Sequence, residues 1–162
     1  MSTAILDQVP EEAPEAPATA EASSQRHLAV LGATIDIRAT MEETEGYLSL
    51  IEFTVPPHFP GAPRHYHDRT PESFFILEGS IEVLNGEKWS ARHAGDFVYI
   101  APGIIHAYRN PSDKPARFLV IAPGHDRFFV ELIAWMKRER VWPPADRAEL
   151  IDFGRGHDTM YL

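Results

Sequence analysis

The chain has 162 residues, enough for one ordinary domain with its own apolar core. It contains no cysteine, which excludes disulfides, thiolate metal sites and cysteine nucleophiles and leaves histidines and carboxylates to carry any metal or acid–base chemistry. A formal net charge of −9 argues against a nucleic-acid partner, since phosphate binding relies on clustered Lys and Arg.

Five of those negative charges, Asp7, Glu11, Glu12, Glu15 and Glu21, fall within residues 1–25, which hold no Lys or Arg. Glu11–Ser24 is mostly Ala, Glu, Pro and Ser, a composition that cannot bury enough apolar surface to offset its ordering entropy. Residues 1–25 are therefore expected to form a disordered acidic tail. No apolar run approaches the roughly 20 residues of a membrane span, and the N-terminus lacks the basic and apolar regions of a secretory signal. A cytoplasmic protein without a membrane partner is the expectation.

From His27 the pattern becomes short apolar segments with period-two character, punctuated by Gly, Pro and Asn-Gly. Expected strands are His27–Leu31, Ile35–Thr40, Tyr47–Val55, Glu72–Leu77, Ile81–Leu84, Lys88–Ala91, Phe97–Ile100, His106–Arg109 and Phe118–Ile121. In Tyr47–Val55, the residues Tyr47, Ser49, Ile51, Phe53 and Val55 share one strongly apolar face, the mark of a half-buried strand. Asn85-Gly86 supplies the positive φ values of a tight hairpin turn, so its neighbours should pair antiparallel. Many short strands with helix confined to one place predict an all-β sandwich or closed barrel over residues 26–124.

The one expected helix runs from Asp126 to about Arg140, with Phe128, Phe129, Leu132, Ile133 and Met136 along one face. Asp126 is its expected N-cap, Lys137, Arg138 and Arg140 complement the dipole at the far end, and Val141-Trp142-Pro143-Pro144 stops it. Residues 125–162 thus read as a C-terminal helix and extension packed on the barrel or on a second subunit.

His65 and His67 are two apart, so on an extended strand both imidazoles leave the same face and can meet one ion. Asp68-Arg69-Thr70-Pro71 reads as a turn, after which Glu72 opens the next strand and can be turned back toward the pair. His106, after Pro102-Gly103-Ile104-Ile105, needs a closed fold to join them. Other polar residues read as bland. His58, His93, His125 and His157 lack partners at ligand spacing; Arg64 and Tyr66 flank the ligands with alternation pointing them away; Glu78 at a hairpin end reads as a solvated carboxylate. Phe74, Ile76, Tyr99 and Tyr108 are candidates to line the cavity, with ordinary core as the alternative.

Gly61, His65, His67, Glu72 and Gly79 resemble the first motif of the cupins, and Gly95, Gly103, His106 and Asn110 resemble the second. The 15 residues between Gly79 and Gly95 match the short connection of compact single-domain cupins. Gly61 lies one residue nearer to the histidine pair than in the commonest pattern, and Ala101 takes the usual proline position with Pro102 beside it. Neither departure removes a ligand. The resemblance implies a double-stranded β-helix, or jelly roll, with a C-terminal α-helix. It also implies one divalent transition metal held by His65, His67, Glu72 and His106, with one or two positions left for water, dioxygen or substrate. Imidazole and carboxylate suit Fe, Mn, Ni, Cu or Zn, and nothing in the set chooses among them.

The order of these motifs, followed by Pro-Gly-His-Asp-Arg-Phe-Phe and a helix, is loosely similar to small quercetin dioxygenase-type cupins. That similarity implies an oxygenase acting on a small aromatic or enolisable molecule, with Glu72 as ligand and, by partial detachment, as base. The alternatives are a Lewis-acid isomerase, cyclase or decarboxylase, as in cupin polyketide cyclases, and a barrel that binds a small molecule without turning it over. Family habit implies a homodimer.

Overall fold

The computed structural model describes residues 26–30, 32–139 and 147–162. The expected acidic tail, Leu31, Arg140 and the Val141–Pro144 stop lie outside the described residues. In chain order the strands are β1 His27–Val30, β2 Ala33–Ala39, β3 Ser49–Val55, β4 His65–Tyr66, β5 Glu72–Glu78, β6 Ser80–Asn85, β7 Lys88–His93, β8 Phe97–Ile100, β9 His106–Arg109 and β10 Ala116–Ala122. Helices α1 His125–Glu139 and α2 Arg147–Arg155 follow, then a last short strand, β11 Met160–Tyr161. The strands form two antiparallel sheets, ordered β1-β2-β3-β10-β5-β8 and β11-β4-β9-β6-β7, the jelly-roll arrangement of an all-β barrel.

Alternation decides what the barrel encloses. Ser49, Ile51, Phe53 and Val55 on β3 are buried, as are Phe74 and Ile76 on β5 and Phe118 and Val120 on β10. Phe53 and Phe118 stack with ring centroids 5.2 Å apart, and Tyr108 meets them edge-on at 5.9 and 5.2 Å. Phe53 and Tyr108 of this aromatic layer also line the cavity of the site described below.

The helical part departs from the expectation in three ways. There are two helices among the described residues, because Arg147–Arg155 is helical despite carrying Gly154. Asp126 is not the N-cap: α1 begins at His125, and Asp126 accepts from Met41 N at 3.3 Å while its own N–H donates to the buried Ser49 Oγ at 3.2 Å. These bonds tie the start of α1 to the barrel rather than capping the helix. The apolar stripe itself is split, with Phe129 and Ile133 packed on the barrel core and Phe128, Leu132 and Trp135 packed on Leu150 of α2. No described helix is long and apolar enough to cross a membrane.

The β6–β7 hairpin turns one residue later than expected. Asn85 still pairs with Lys88, so Gly86 and Glu87 form the loop and only Gly86, at φ 65°, takes the positive angle. Glycine at the first loop position is the pattern of a type II′ hairpin.

Candidate metal centre

On β5 the inward positions are Glu72, Phe74 and Ile76, so alternation that buries two apolar side chains also drives the Glu72 carboxylate into the barrel. Residues His65 of β4 and His106 of β9 are direct cross-strand partners. His67 lies two residues beyond His65 on the same face. All four side chains are buried, and each offers a ligand atom within 4.8 Å of the others. The imidazole centroids are 4.2 Å apart for His65 and His106, and 5.1 Å apart for each of the other two pairs.

Each imidazole is oriented by its far nitrogen. Nδ1–H of His65 donates to Pro63 O at 2.8 Å, that of His106 to Ile104 O at 2.9 Å, and that of His67 to Asp158 O at 2.8 Å. A carbonyl only accepts, so these bonds put the proton on Nδ1 and leave Nε2 with its lone pair in the neutral rings. Those lone pairs face a carboxylate: His106 Nε2 is 2.7 Å and His67 Nε2 3.6 Å from Glu72 Oε2. Lone pair against carboxylate is repulsive unless a proton or a cation lies between them. His67 Nε2 is moreover buried without a hydrogen-bond partner. Three backbone-oriented imidazoles with a carboxylate are the donor set of a first-row divalent metal, and the cluster fits one.

The same burial shapes the titration of the metal-free site. Burial pushes the His65 imidazole down to about 3, with the neighbouring His106 and His67 adding to the effect and Glu72 opposing it. Burial alone would raise the Glu72 carboxyl, but the imidazoles of His106, His125 and His67 that face it hold it well below the usual carboxylate range. For His67 burial lowers the value, and the Glu72 carboxylate outweighs it, so the net direction is upward. As pH falls from 6.5 toward 3, the unfolded chain takes up a proton at His65 before the folded protein does, so stability is complete above 6.5 and lost on the way down. Glu72 adds to that loss below about 4.5, whereas the His67 contribution runs the other way and fades as pH rises through its elevated value. Metal-stripped protein is expected to show a urea midpoint that drops between pH 6.5 and 4. His65→Gln should flatten that drop, and an equal drop in both proteins would contradict the assignment to His65.

The cluster opens on a cavity of about 80 Å³ whose floor holds His65, His67 and Glu72 and whose walls are mainly apolar, among them Phe53, Tyr108, Phe129 and Leu132. Helix α1 covers this end of the barrel, Phe129 meeting Phe53 edge-on at 5.1 Å. Of the expected lining residues, Tyr108 faces the cavity. Phe74 and Ile76 are fully buried core, and Tyr99 is 54 % exposed because it alternates with the inward Val98 and Ile100 on the edge strand β8.

His125 is a correction. The first residue of α1 is only 5 % exposed, lines the cavity, and places Nε2 3.5 Å from Glu72 Oε1 and its ring 4.9 Å from that of His67. Its signal was its place at a helix start beside an aromatic pair, which does not by itself specify a barrel mouth. Sequence spacing also gave no sign of Asp158 and Tyr161, which reach His67 and His65 from the far end of the chain. The other polar residues sit apart from the cluster: His58 pairs with the exposed Asp113 at 2.9 Å, His157 with Glu131 at 3.1 Å, and His93, Arg64 and Glu78 are exposed. Tyr66 alternates with the two buried histidines and lies on the opposite face of β4. Asn110 is buried and structural, its amide donating to Pro56 O and Lys114 O at 2.9 and 2.8 Å.

A two-sheet jelly roll whose interior gathers His65 of β4, His67 just beyond it, Glu72 of β5 and His106 of β9 defines a cupin-type barrel. Residues 51–122, a little under half of the chain, match the family described as Cupin domain. It is 29% identical over 103 residues to an uncharacterized protein of Aquifex aeolicus, covering 56% of this chain and 84% of that one. It is 30% identical over 60 residues to quercetin 2,3-dioxygenase of Bacillus subtilis, which is 37% of this chain but only 18% of that enzyme. Among solved structures, a predicted oxalate decarboxylase from Thermotoga maritima aligns with TM-score 0.53 at 20% identity, over 56% of this chain and 79% of the other. The polyketide cyclase RemF from Streptomyces resistomycificus aligns with TM-score 0.53 at 22% identity, over 64% of this chain and 76% of its own. These structural likenesses establish the shared fold.

Proposed function

We propose that the protein is a metal-dependent enzyme acting on a small aromatic or enolisable molecule, most economically a dioxygenase. The carrying observation is the apolar cavity of about 80 Å³ laid directly on His65, His67 and Glu72. His65, His67, Glu72 and His106 would hold the ion. A divalent transition metal there would supply Lewis acidity and, if redox-active, electron transfer to dioxygen. The segment shared with quercetin 2,3-dioxygenase supports the oxygen-using reading.

The protein's own part is to bind, dry and deprotonate. Phe53, Tyr108, Phe129 and Leu132 enclose the substrate body and exclude water, which strengthens every polar interaction at the floor. Glu72, kept ionised by its histidine neighbours, accepts the enol or phenol proton on a carboxylate oxygen. His125 at 3.5 Å from Oε1 faces the oxygen that His106 does not occupy. Two titratable groups side by side at the cavity floor also suit a second reading, proton transfer between two substrate atoms in a Lewis-acid isomerase or cyclase.

Dioxygen separates the two. With metal restored, substrate consumption is expected to stop in an anaerobic chamber and both product oxygens to carry label from ¹⁸O₂. Undiminished anaerobic turnover would select the isomerase or cyclase, and a ligand bound tightly in air and recovered unchanged would remove both enzymatic readings.

A further inference from the structure

The C-terminal segment does more than cover the barrel. β11 pairs with β4 in a register that sets Met160 opposite Tyr66 and Tyr161 opposite His65, and Leu162 N donates to Arg64 O at 3.1 Å. Tyr161 lies 5.8 Å from the His65 ring. Asp158 acts at two levels. Its backbone carbonyl is the acceptor that orients His67. Its carboxylate accepts from Asp68 N at 3.2 Å on Oδ1, and from Arg69 N at 3.1 Å, Thr70 N at 3.0 Å and Thr70 Oγ1 at 2.9 Å on Oδ2.

Those three amides belong to the loop that joins His67 to Glu72. One residue therefore grips the turn between two candidate ligands with its side chain and aims one of them with its main chain. Asp158 itself sits at φ 56°, a left-handed conformation that Asp tolerates better than most residues and that lets carbonyl and carboxylate both face the loop. The segment is held in turn by Gly154 of α2, where a Cβ would come within 2.4 Å of Thr159 O and 2.8 Å of the Tyr161 ring.

We propose that Asp158 is a positioning residue of the metal centre, and that docking of residues 157–162 on β4 is thermodynamically linked to metal binding. Outer groups that orient a metal-bound imidazole change metal affinity by about 10- to 100-fold. Linkage is reciprocal, so a metal that binds better to the docked segment must also hold it in place. This inference uses the metal-site reading and is independent of the reaction catalysed there.

The test uses the full chain with Co(II) or Zn(II) alone as probe. Asp158→Ala is expected to weaken the metal by about 10- to 100-fold and to alter the visible Co(II) spectrum, with Asp158→Asn, which keeps one acceptor oxygen, intermediate. Should Asp158→Ala fail to fold, hydrogen exchange of the wild type answers instead: amides 68–70 and 159–162 gain protection on adding metal, and do not gain it in His106→Ala, whose substitution lies outside the Asp158 contacts. Unchanged affinity and spectrum in Asp158→Ala, or exchange indifferent to metal at those amides, overturns the proposal. Failure of the wild type to bind either ion overturns it together with the metal-site reading, and that outcome is recognised in the wild-type arm alone.

Discussion

His106→Ala is expected to lower bound metal from about one equivalent to a trace, read by elemental analysis after dialysis against a metal-free buffer. The imidazole is fully buried, is oriented by Ile104 O and lies 2.7 Å from Glu72 Oε2, so no solvent-exposed group can take its place. Losing one of four donors removes a coordination bond and also leaves Glu72 less well held. Even the loss of an orienting group outside the ligand set costs about 10- to 100-fold, so loss of a donor itself should exceed that. The fold should survive. Removing one partner of a buried carboxylate costs at most the roughly 3–5 kcal/mol of an outright broken buried ion pair, and Glu72 keeps His67 at 3.6 Å and His125 at 3.5 Å, which reduces the penalty. His65→Ala should behave alike, and His58→Ala, at an exposed pair with Asp113, should retain full metal. Stoichiometric metal in both His65→Ala and His106→Ala would refute the four-residue centre.

Much of this site follows from alternation alone. His65 and His67 share a face because they are two apart, and Glu72 shares the inward face of β5 with Phe74 and Ile76 for the same reason. Both inferences need only the period of a strand. What brings His106 to His65 is register across β4 and β9, a long-range property that no local pattern encodes and that the two glycine-framed motifs signalled only by resemblance.

The contributions from residues 147–162 were illegible for related reasons. α2 has nine residues with Gly154 inside it, and its apolar positions are few, so its period is weak. A two-residue strand such as β11 has no period at all. Asp158 bonds to amides about ninety positions away, and nothing around Gly156-His157-Asp158 distinguishes it from a surface turn. Tyr99 failed for the opposite reason: Phe-Val-Tyr-Ile is apolar throughout, so the pattern hides which pair faces in, and an edge strand leaves the other pair to solvent.

Gly61→Ala is expected to be the most damaging single methyl in the chain, because the first motif glycine marks a contact rather than only a turn. A Cβ at Gly61 would stand 1.6 Å from Tyr108 O and 2.6 Å from Tyr108 C, and the residue already holds φ 77°. Neither obstacle is a flexible side chain. Tyr108 belongs to β9, two residues from His106, and the neighbouring chain is bonded to the end of the same strand through Asn110 N to Phe59 O at 3.0 Å. Making room means moving β9 or the 59–61 segment by more than an ångström in a core whose interiors are close-packed. Gly103→Ala supplies the comparison, since φ there is 78° but nothing lies within 4 Å of the added carbon. Strain at φ alone should cost Gly103→Ala about 1–2 kcal/mol, while Gly61→Ala adds the clash and should exceed about 4 kcal/mol, the range reserved for major core disruption. Urea midpoints of the two metal-free variants measure the difference, and equal midpoints would mean that β9 does not pass against Gly61. Any Gly61→Ala protein recovered folded should also bind metal weakly, because the strand that must yield is the one that carries His106.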